Sequence, residues 1–393
     1  MVKILKTYMK LCVSKKGLKY WMATVLLTLP YLKTGFFQQF STLDLMIDLW
    51  KIISFLIVFV WYFFVHRKVS KMIVLFATME GYLLFNTFIH GGNMQSCANS
   101  AFSILGVTLL YDMLEDFKYE FLSAQLFCFE LIIYINLFTE IVFPNGLYRG
   151  TRYSANWFLG YYNIHTRYFI PALMIAYIYM NYTGKKTRTY LLTAVVFLSA
   201  VLVWSGGVIV SMAGMVITYI LFKNKTRLFN YYNYWMIHLG FFVLIIVMKL
   251  QRYFRWLIDD VLGKWNSLGG RMAVWQTDLR LIGKSFLVGY GLEYDEERSR
   301  YFVWAVHSHN QLLEILHQGG IIYLIFMIAV IITAGKHLNR YKNSEIVKVI
   351  SIAFLGWCLH SLVEPHITPF LMGMFIIAYH SECYISEADK GKL

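Results

Sequence analysis

Residues 312–334 read LLEILHQGGIIYLIFMIAVIITA, and no charged residue follows Glu314. Crossing the hydrocarbon of a bilayer as a helix takes roughly 20 mainly apolar residues, and this stretch supplies them. Comparable stretches occur at 20–39, 47–65, 72–90, 97–113, 121–143, 158–182, 189–204, 206–222, 231–250, 346–363 and 366–384. The pattern predicts an all-α polytopic membrane protein with about 12 transmembrane helices. Tyr190 to Phe222 is too long for one ordinary crossing, and Ser205-Gly206-Gly207 at its middle reads as a tight turn between two short helices.

Composition agrees. Of 393 residues, 58% are hydrophobic and 15% charged. Soluble domains carry about 45–50% apolar and about 25% charged residues. A water-soluble core could not hide that excess, so lipid is the simpler solvent. The five cysteines, Cys12, Cys97, Cys128, Cys358 and Cys383, show no CxxC spacing and read as packing residues.

The net charge of +14 is explained by sidedness. With the N-terminus inside, alternate loops hold Arg67, Lys68 and Lys71, then Lys185, Lys186 and Arg188, then Lys223, Lys225 and Arg227, then Lys336, Arg340 and Lys342. That is the positive-inside distribution, with both termini cytoplasmic. No nucleic acid is needed to account for it. The turn with Asp112, Glu115 and Asp116 breaks the pattern, but acidic residues carry little topological weight.

The chain then divides into helices 1–9 over 1–250, a large helical extracytoplasmic loop over 251–311, and helices 10–12 with a tail over 312–393. A connection of about sixty residues far exceeds the usual two to eight in a helical bundle. Phe254, Leu257, Ile258, Val261 and Leu262 recur at helical spacing, as do Met272, Trp275, Leu279 and Ile282 after a break at Gly269-Gly270. Both read as amphipathic helices that cap the bundle or frame a cavity at the headgroups. Arg149, Arg152, Arg167, Arg252, Arg255, Arg271, Arg280, Arg298 and Arg300 fall outside or near the outer end of a helix, against the charge bias. A guanidinium fork suits phosphate. The run Asp295-Glu296-Glu297-Arg298 reads as solvated surface, and Glu80 and Glu130 as buried, neutral, hydrogen-bonded carboxyls.

Ala305-Val306-His307-Ser308-His309-Asn310-Gln311-Leu312-Leu313-Glu314 leads directly into a membrane helix. An imidazole at that junction can take a proton from a hydroxyl near neutral pH. His307 and His309 would also suit a metal, but no neighbouring Asp, Cys or HExxH partner completes such a site, so none is expected.

This region resembles the O-antigen ligase and Wzy-type polysaccharide polymerase superfamily. Gly270-Arg271-Met272-Ala273-Val274-Trp275 is similar to its Gly-Arg-x-x-x-Trp motif, and Phe286-Leu287-Val288-Gly289-Tyr290-Gly291 to its Pro-Leu-x-Gly-x-Gly turn. His309-Asn310-Gln311-Leu312-Leu313-Glu314 and Gly320-Ile321-Ile322 resemble its His-Asn-x-x-Leu-Glu and Gly-Ile-Ile motifs, and Gly160-Tyr161-Tyr162-Asn163 a Gly-x-x-Asn motif. The specific part covers about residues 269–324. The resemblance implies a GT-C-like, metal-independent, inverting glycosyltransferase of the cell membrane, without cofactor, working at the outer face in capsule or exopolysaccharide assembly. Its implied donor is an undecaprenyl-pyrophosphate-linked oligosaccharide, with membrane lipid around it and a chain-length regulator as a further partner. His309 would activate the acceptor hydroxyl, and Arg271 would meet the pyrophosphate, with Asn310, Glu314, Gly270, Gly289 and Gly291 in support. The chain has Ser205-Gly206 where many ligases carry Ser-Arg, which leaves Arg152 or Arg167 as the replacement cation and favours a polymerase over a ligase. A flippase or transporter would keep ionisable residues at the midplane in repeated halves, and no such repeat is present.

Overall fold

The computed structural model describes residues 15–113, 117–150, 155–250, 253, 265–302 and 305–385. Among these are fourteen α-helices and no strand. In chain order they are α1 (Lys15–Thr28), α2 (Ser41–Trp61), α3 (Lys71–Ile89), α4 (Met94–Met113), α5 (Lys118–Val142), α6 (Thr166–Thr183) and α7 (Thr187–Leu202). The remainder are α8 (Gly206–Ile217), α9 (Tyr231–Phe242), α10 (Trp265–Lys284), α11 (Asp295–Phe302), α12 (Gln311–Arg340), α13 (Glu345–Ser361) and α14 (Pro369–Tyr379). Helices α3, α5 and α12 are long and apolar enough to cross a membrane. Apolar side chains also cover the outside of the bundle: Leu45, Leu49, Ile52 and Leu56 of α2 are all exposed. A solvent-facing surface of that kind is paid for only in lipid, so this is an all-helical membrane protein.

Helix α14 runs through the middle of the bundle. Pro369 starts it at a position where no N–H is needed, and every residue from Phe370 to Ala378 is buried. Around it, Phe76, Phe354 and Trp357 pack on its Phe375 and Phe129 on its Phe370, as tilted or edge-to-face aromatic pairs. The turn between α7 and α8 falls at Val203–Ser205, so the expected break is present but two residues early, and Gly206 and Gly207 already open α8.

Three expectations are corrected. Helix α10 runs without a break through Gly269-Gly270. Its apolar stripe packs into the bundle, because Trp275 and Ile282 are buried with Leu313 of α12 and Leu362 after α13. Glu130 is buried and hydrogen-bonded as expected, but its partner is a cation. It accepts from Arg188 Nε at 3.0 Å and Nη2 at 2.7 Å, a forked pair that a membrane interior demands of any buried charge. Arg298 is not solvated, being 3% exposed in a buried pair with Glu314. The amphipathic stretch 254–262 lies outside the described residues, as do Arg152, Arg252 and Arg255.

Helix α12 breaks at Gly320, whose φ of 61° and ψ of −161° are not helical. The segment 286–291 turns back against the break and exchanges backbone hydrogen bonds with it. Tyr290 N–H donates to His317 O and Gly291 N–H to Gln318 O, each at 2.8 Å, and Ile321 N–H donates to Phe286 O at 2.9 Å. From α3, Asn86 Nδ2 reaches Val288 O at 2.7 Å and Gln318 O at 2.9 Å, while Tyr82 OH reaches Gly319 O at 2.9 Å. Every backbone group named here is thereby satisfied away from water, as irregular backbone at such a depth requires. Gly289 (φ 68°), Gly291 (φ 72°) and Gly320 must be glycine both for their positive φ and for this close approach. Gly320→Ala would push a Cβ into the Leu287 backbone. We expect it to cost about 1–3 kcal/mol or more, read as a lowered melting temperature of the detergent-purified protein.

Candidate active site

The polar segment 305–310 turns into α12 through a cap. Asn310 accepts at its side-chain oxygen from the N–H groups of Leu312 and Leu313, at 3.0 and 3.1 Å, and its amide donates to Leu362 O at 3.1 Å. Glu314, one turn on, accepts from Ser308 N–H at 2.7 Å, from Gln318 Nε2 at 2.7 Å, and from both terminal nitrogens of Arg298. A second buried group lies beside it. His317 bridges Asp278 at 2.5 Å and Glu293 at 2.7 Å, and Tyr301 donates to Glu293. These contacts fasten α10 and α11 to α12 on either side of the histidine segment. Burial disfavours the charge on Arg298, but Glu314 more than offsets it and raises the guanidinium above its ordinary value.

Between those clamps, His309 adopts a left-handed conformation with φ 50° and is buried. Its Nδ1 meets Glu364 Oε2 at 2.7 Å. A carboxylate can only accept, so Nδ1 carries a hydrogen, and Nε2 is the nitrogen that holds the lone pair whenever the ring is neutral. Glu364 lies in the turn between α13 and α14, and its other partners converge from two elements, α10 and the segment before α6. Arg271 Nη2 of α10 is 3.6 Å from Oε2, while Tyr161 OH and Asn163 Nδ2 donate to Oε1 at 3.3 and 3.5 Å. Ser205 donates to Asn163 Oδ1 at 3.2 Å. Burial by itself raises the Glu364 carboxyl, but the hydrogen bond from His309 and the charges of His309, His307 and Arg271 outweigh it. The group is held well below the usual carboxylate range.

His307 Nδ1 accepts from His309 N–H at 3.3 Å, and the two rings are 4.1 Å apart. Burial, then the neighbouring His309, push His307 down to about 4. The donor atoms of His307, His309 and Glu364 all lie within 4.8 Å, so the carboxylate missing near the histidines in sequence is supplied by Glu364. Arg271 already brings positive charge to that carboxylate, which opposes a cation there.

The structure thus brings together His309, Arg271, Asn310 and Glu314. Gly270 immediately precedes Arg271 within α10, and Gly289 and Gly291 shape the neighbouring turn. Arg167 stands apart: its Nε donates to His366 Nδ1 at 2.9 Å, and it faces a cavity beside His307. Glu364 was not found from the sequence, since it lies 55 residues beyond His309 and outside every motif.

Residues 191–328 match the family model described as O-antigen ligase. The match covers 138 of the 393 residues. That family consists of glycosyltransferase-like ligases and polymerases acting on lipid-linked oligosaccharides. The matched span contains Arg271, Arg298, His309 and Glu314, whereas Glu364 and Asn163 lie outside it. No curated protein matches the chain.

The site should respond to acid. A histidine whose folded value is depressed contributes stability that is complete above about 6.5 and lost as the pH falls toward about 4. Glu364, held low, adds a loss of the same sign once the pH falls through its own folded value, below the carboxylate range. The melting temperature should therefore fall from about pH 6.5 downward, and His307→Gln should flatten the upper part of that fall, as measured by intrinsic fluorescence in detergent.

Proposed function

We propose that the protein is a polysaccharide polymerase that transfers a glycan from undecaprenyl pyrophosphate onto a lipid-linked repeat unit. The observation that carries this reading is the buried His309–Glu364 pair with Arg271 beside it, where His309 and Arg271 lie in the span that matches the O-antigen ligase family model. His309 Nε2 takes the proton of the acceptor hydroxyl while its oxygen forms a bond to the anomeric carbon. The bond from that carbon to the pyrophosphate oxygen breaks, and its electron pair leaves with the lipid pyrophosphate. Glu364 fixes the tautomer and stabilises the imidazolium that forms. Arg271 meets the charge developing on the leaving group, as a preorganised cation in a dry site does best. Arg152 and Arg167 are further pyrophosphate candidates. A single displacement inverts the anomeric centre.

We place this site at the outer face of the cell membrane, in a GT-C-like bundle of about 12 spans with both termini inside. The positive-inside distribution supports that sidedness. The ligase reading, transfer of finished glycan to a different acceptor, is favoured by the match to an O-antigen ligase family model. The two share donor chemistry and differ in product.

Purified protein supplied with synthetic undecaprenyl-pyrophosphate repeat units in EDTA should give a ladder of longer glycans. His309→Ala should lower the rate by about 10²–10⁴ and Arg271→Ala by about 10²–10³. Glu364→Gln should lower kcat while leaving the donor KM near its starting value. A ladder unchanged in His309→Ala would sink the general-base role. Transfer only to a separate acceptor would replace the polymerase by the ligase.

A further inference from the structure

Helix α4 carries a polar stripe. Ser96, Asn99, Ser100 and Ser103 recur at three- and four-residue spacing, which puts them on one helix face. Ser96, Asn99 and Ser100 are exposed, while Cys97, Ala101 and Ile104 are buried on the other side. An open row of hydroxyls and an amide gains nothing against lipid tails. The stripe instead lines a cleft of about 350 Å³, whose other walls bear Lys33 after α1, Lys51 of α2, Arg167 of α6 and Thr368 before α14. The sidedness proposed above puts Lys33 and the starts of α4, α6 and α14 at the outer face, where lipid headgroups lie.

Among the described residues three cations line this cleft and no carboxylate does. Asp44 holds Lys33 at 2.6 Å, and Asp48 holds Lys33 at 2.9 Å and Lys51 at 3.2 Å. Lys51 also donates to Asn99 Oδ1 at 3.1 Å. Three cations are thus met by two carboxylates, and the charge left over belongs to Arg167. No carboxylate pairs with half-buried Arg167 among the described residues. Its Nε donates to His366 Nδ1 at 2.9 Å, and its two terminal nitrogens make no hydrogen bond to those residues. A guanidinium without a counter-ion at the mouth of a membrane bundle is costly, and its planar fork matches the oxygens of a phosphate.

Arg271 and Arg167 meet the same turn two residues apart, Arg271 at Glu364 and Arg167 at His366. Transfer between two lipid-linked glycans involves two pyrophosphates. The donor's lies at the anomeric carbon under attack, next to His309 and Arg271. The acceptor reacts through a hydroxyl of its glycan, so its own pyrophosphate stays a glycan's length away and is never released. Arg167, Ser100 and Ile367 also line a smaller space of about 220 Å³ that reaches His307, which gives that glycan a path from the cleft to the histidines. We infer that the cleft at Arg167, Lys51 and Asn99 holds the pyrophosphate of the acceptor lipid. This rests on the polymerase reading, in which both substrates are lipid pyrophosphates.

Native mass spectrometry of the detergent-purified protein counts bound undecaprenyl pyrophosphate without any turnover. Wild type should hold two molecules, Arg271→Gln and Arg167→Gln one each, and the double variant none. Arg167→Gln keeps a donor for His366, and Arg167→Lys, which keeps the charge, should recover part of the lost binding. Undecaprenol, which has no phosphate, should bind wild type and variants alike. Kinetics then separate the two lipids. The donor is a lipid-linked repeat unit with its accepting hydroxyl methylated, and the acceptor has its anomeric oxygen replaced by CH₂ so that it cannot donate. Arg167→Gln should raise the acceptor KM about tenfold and leave the donor KM unchanged. A single bound lipid in wild type overturns the proposal, as does an Arg167→Gln protein that still holds two. A raised donor KM overturns it too, and so does loss of undecaprenol, which would place the change in the tail or the fold. Two bound lipids with no ladder would contradict the polymerase reading and leave the second pyrophosphate site standing.

Discussion

Inside an apolar bundle a broken helix must have its backbone groups met by something other than water. Much of this structure follows from how α12 meets that demand at Gly320. The segment 286–291 supplies the missing partners by running alongside the break, and Asn86 and Tyr82 supply the rest. That pairing fixes the end of α10 and the start of the path to α11. Arg271 and the histidine segment are thus delivered to the same end of α12 by one piece of backbone chemistry. The glycines of the turn and of the break belong to a single device, although they lie about thirty residues apart in sequence.

Side-chain charge completes what the backbone begins. Arg298 and Glu314 sit buried next to Ser308, and the bridge from Asp278 through His317 to Glu293 sits beyond them. Removing one partner of such a pair leaves a charge stranded in a dry place, which is costly. The histidine segment is consequently held between two fastenings, and His309 is kept at a positive φ that few non-glycine residues adopt. A residue held in that way is prepared before substrate arrives.

The helical, membrane-embedded class was legible from hydropathy, and the segment around His309 from its ordered motifs. The partner of His309 was not. Glu364 reaches the site only because α13 and α14 fold back over α12, and a lone acidic residue in a Pro- and His-containing turn carries no periodicity to mark it. Arg298 was misread for a related reason: next to Asp295, Glu296 and Glu297 it looks like surface, and its burial depends on Glu314 across the chain. Glycine pairs were ambiguous as well. Gly319-Gly320 sits at a break, while Gly269-Gly270 is carried through a helix that packing against α12 stabilises. The Gly-x-x-Asn motif carries no chemistry that the sequence alone reveals, yet its Tyr161 and Asn163 both reach Glu364.

The central claim is that His309 activates a hydroxyl for direct attack at the anomeric carbon, with no covalent glycosyl intermediate. The most direct measurement is the anomeric configuration of the product, read from proton coupling in nuclear magnetic resonance spectra of glycan made from a donor of defined configuration. Inversion relative to the donor is the predicted result. Retention would contradict the account, because it requires two displacements and a nucleophile in place of a base at His309.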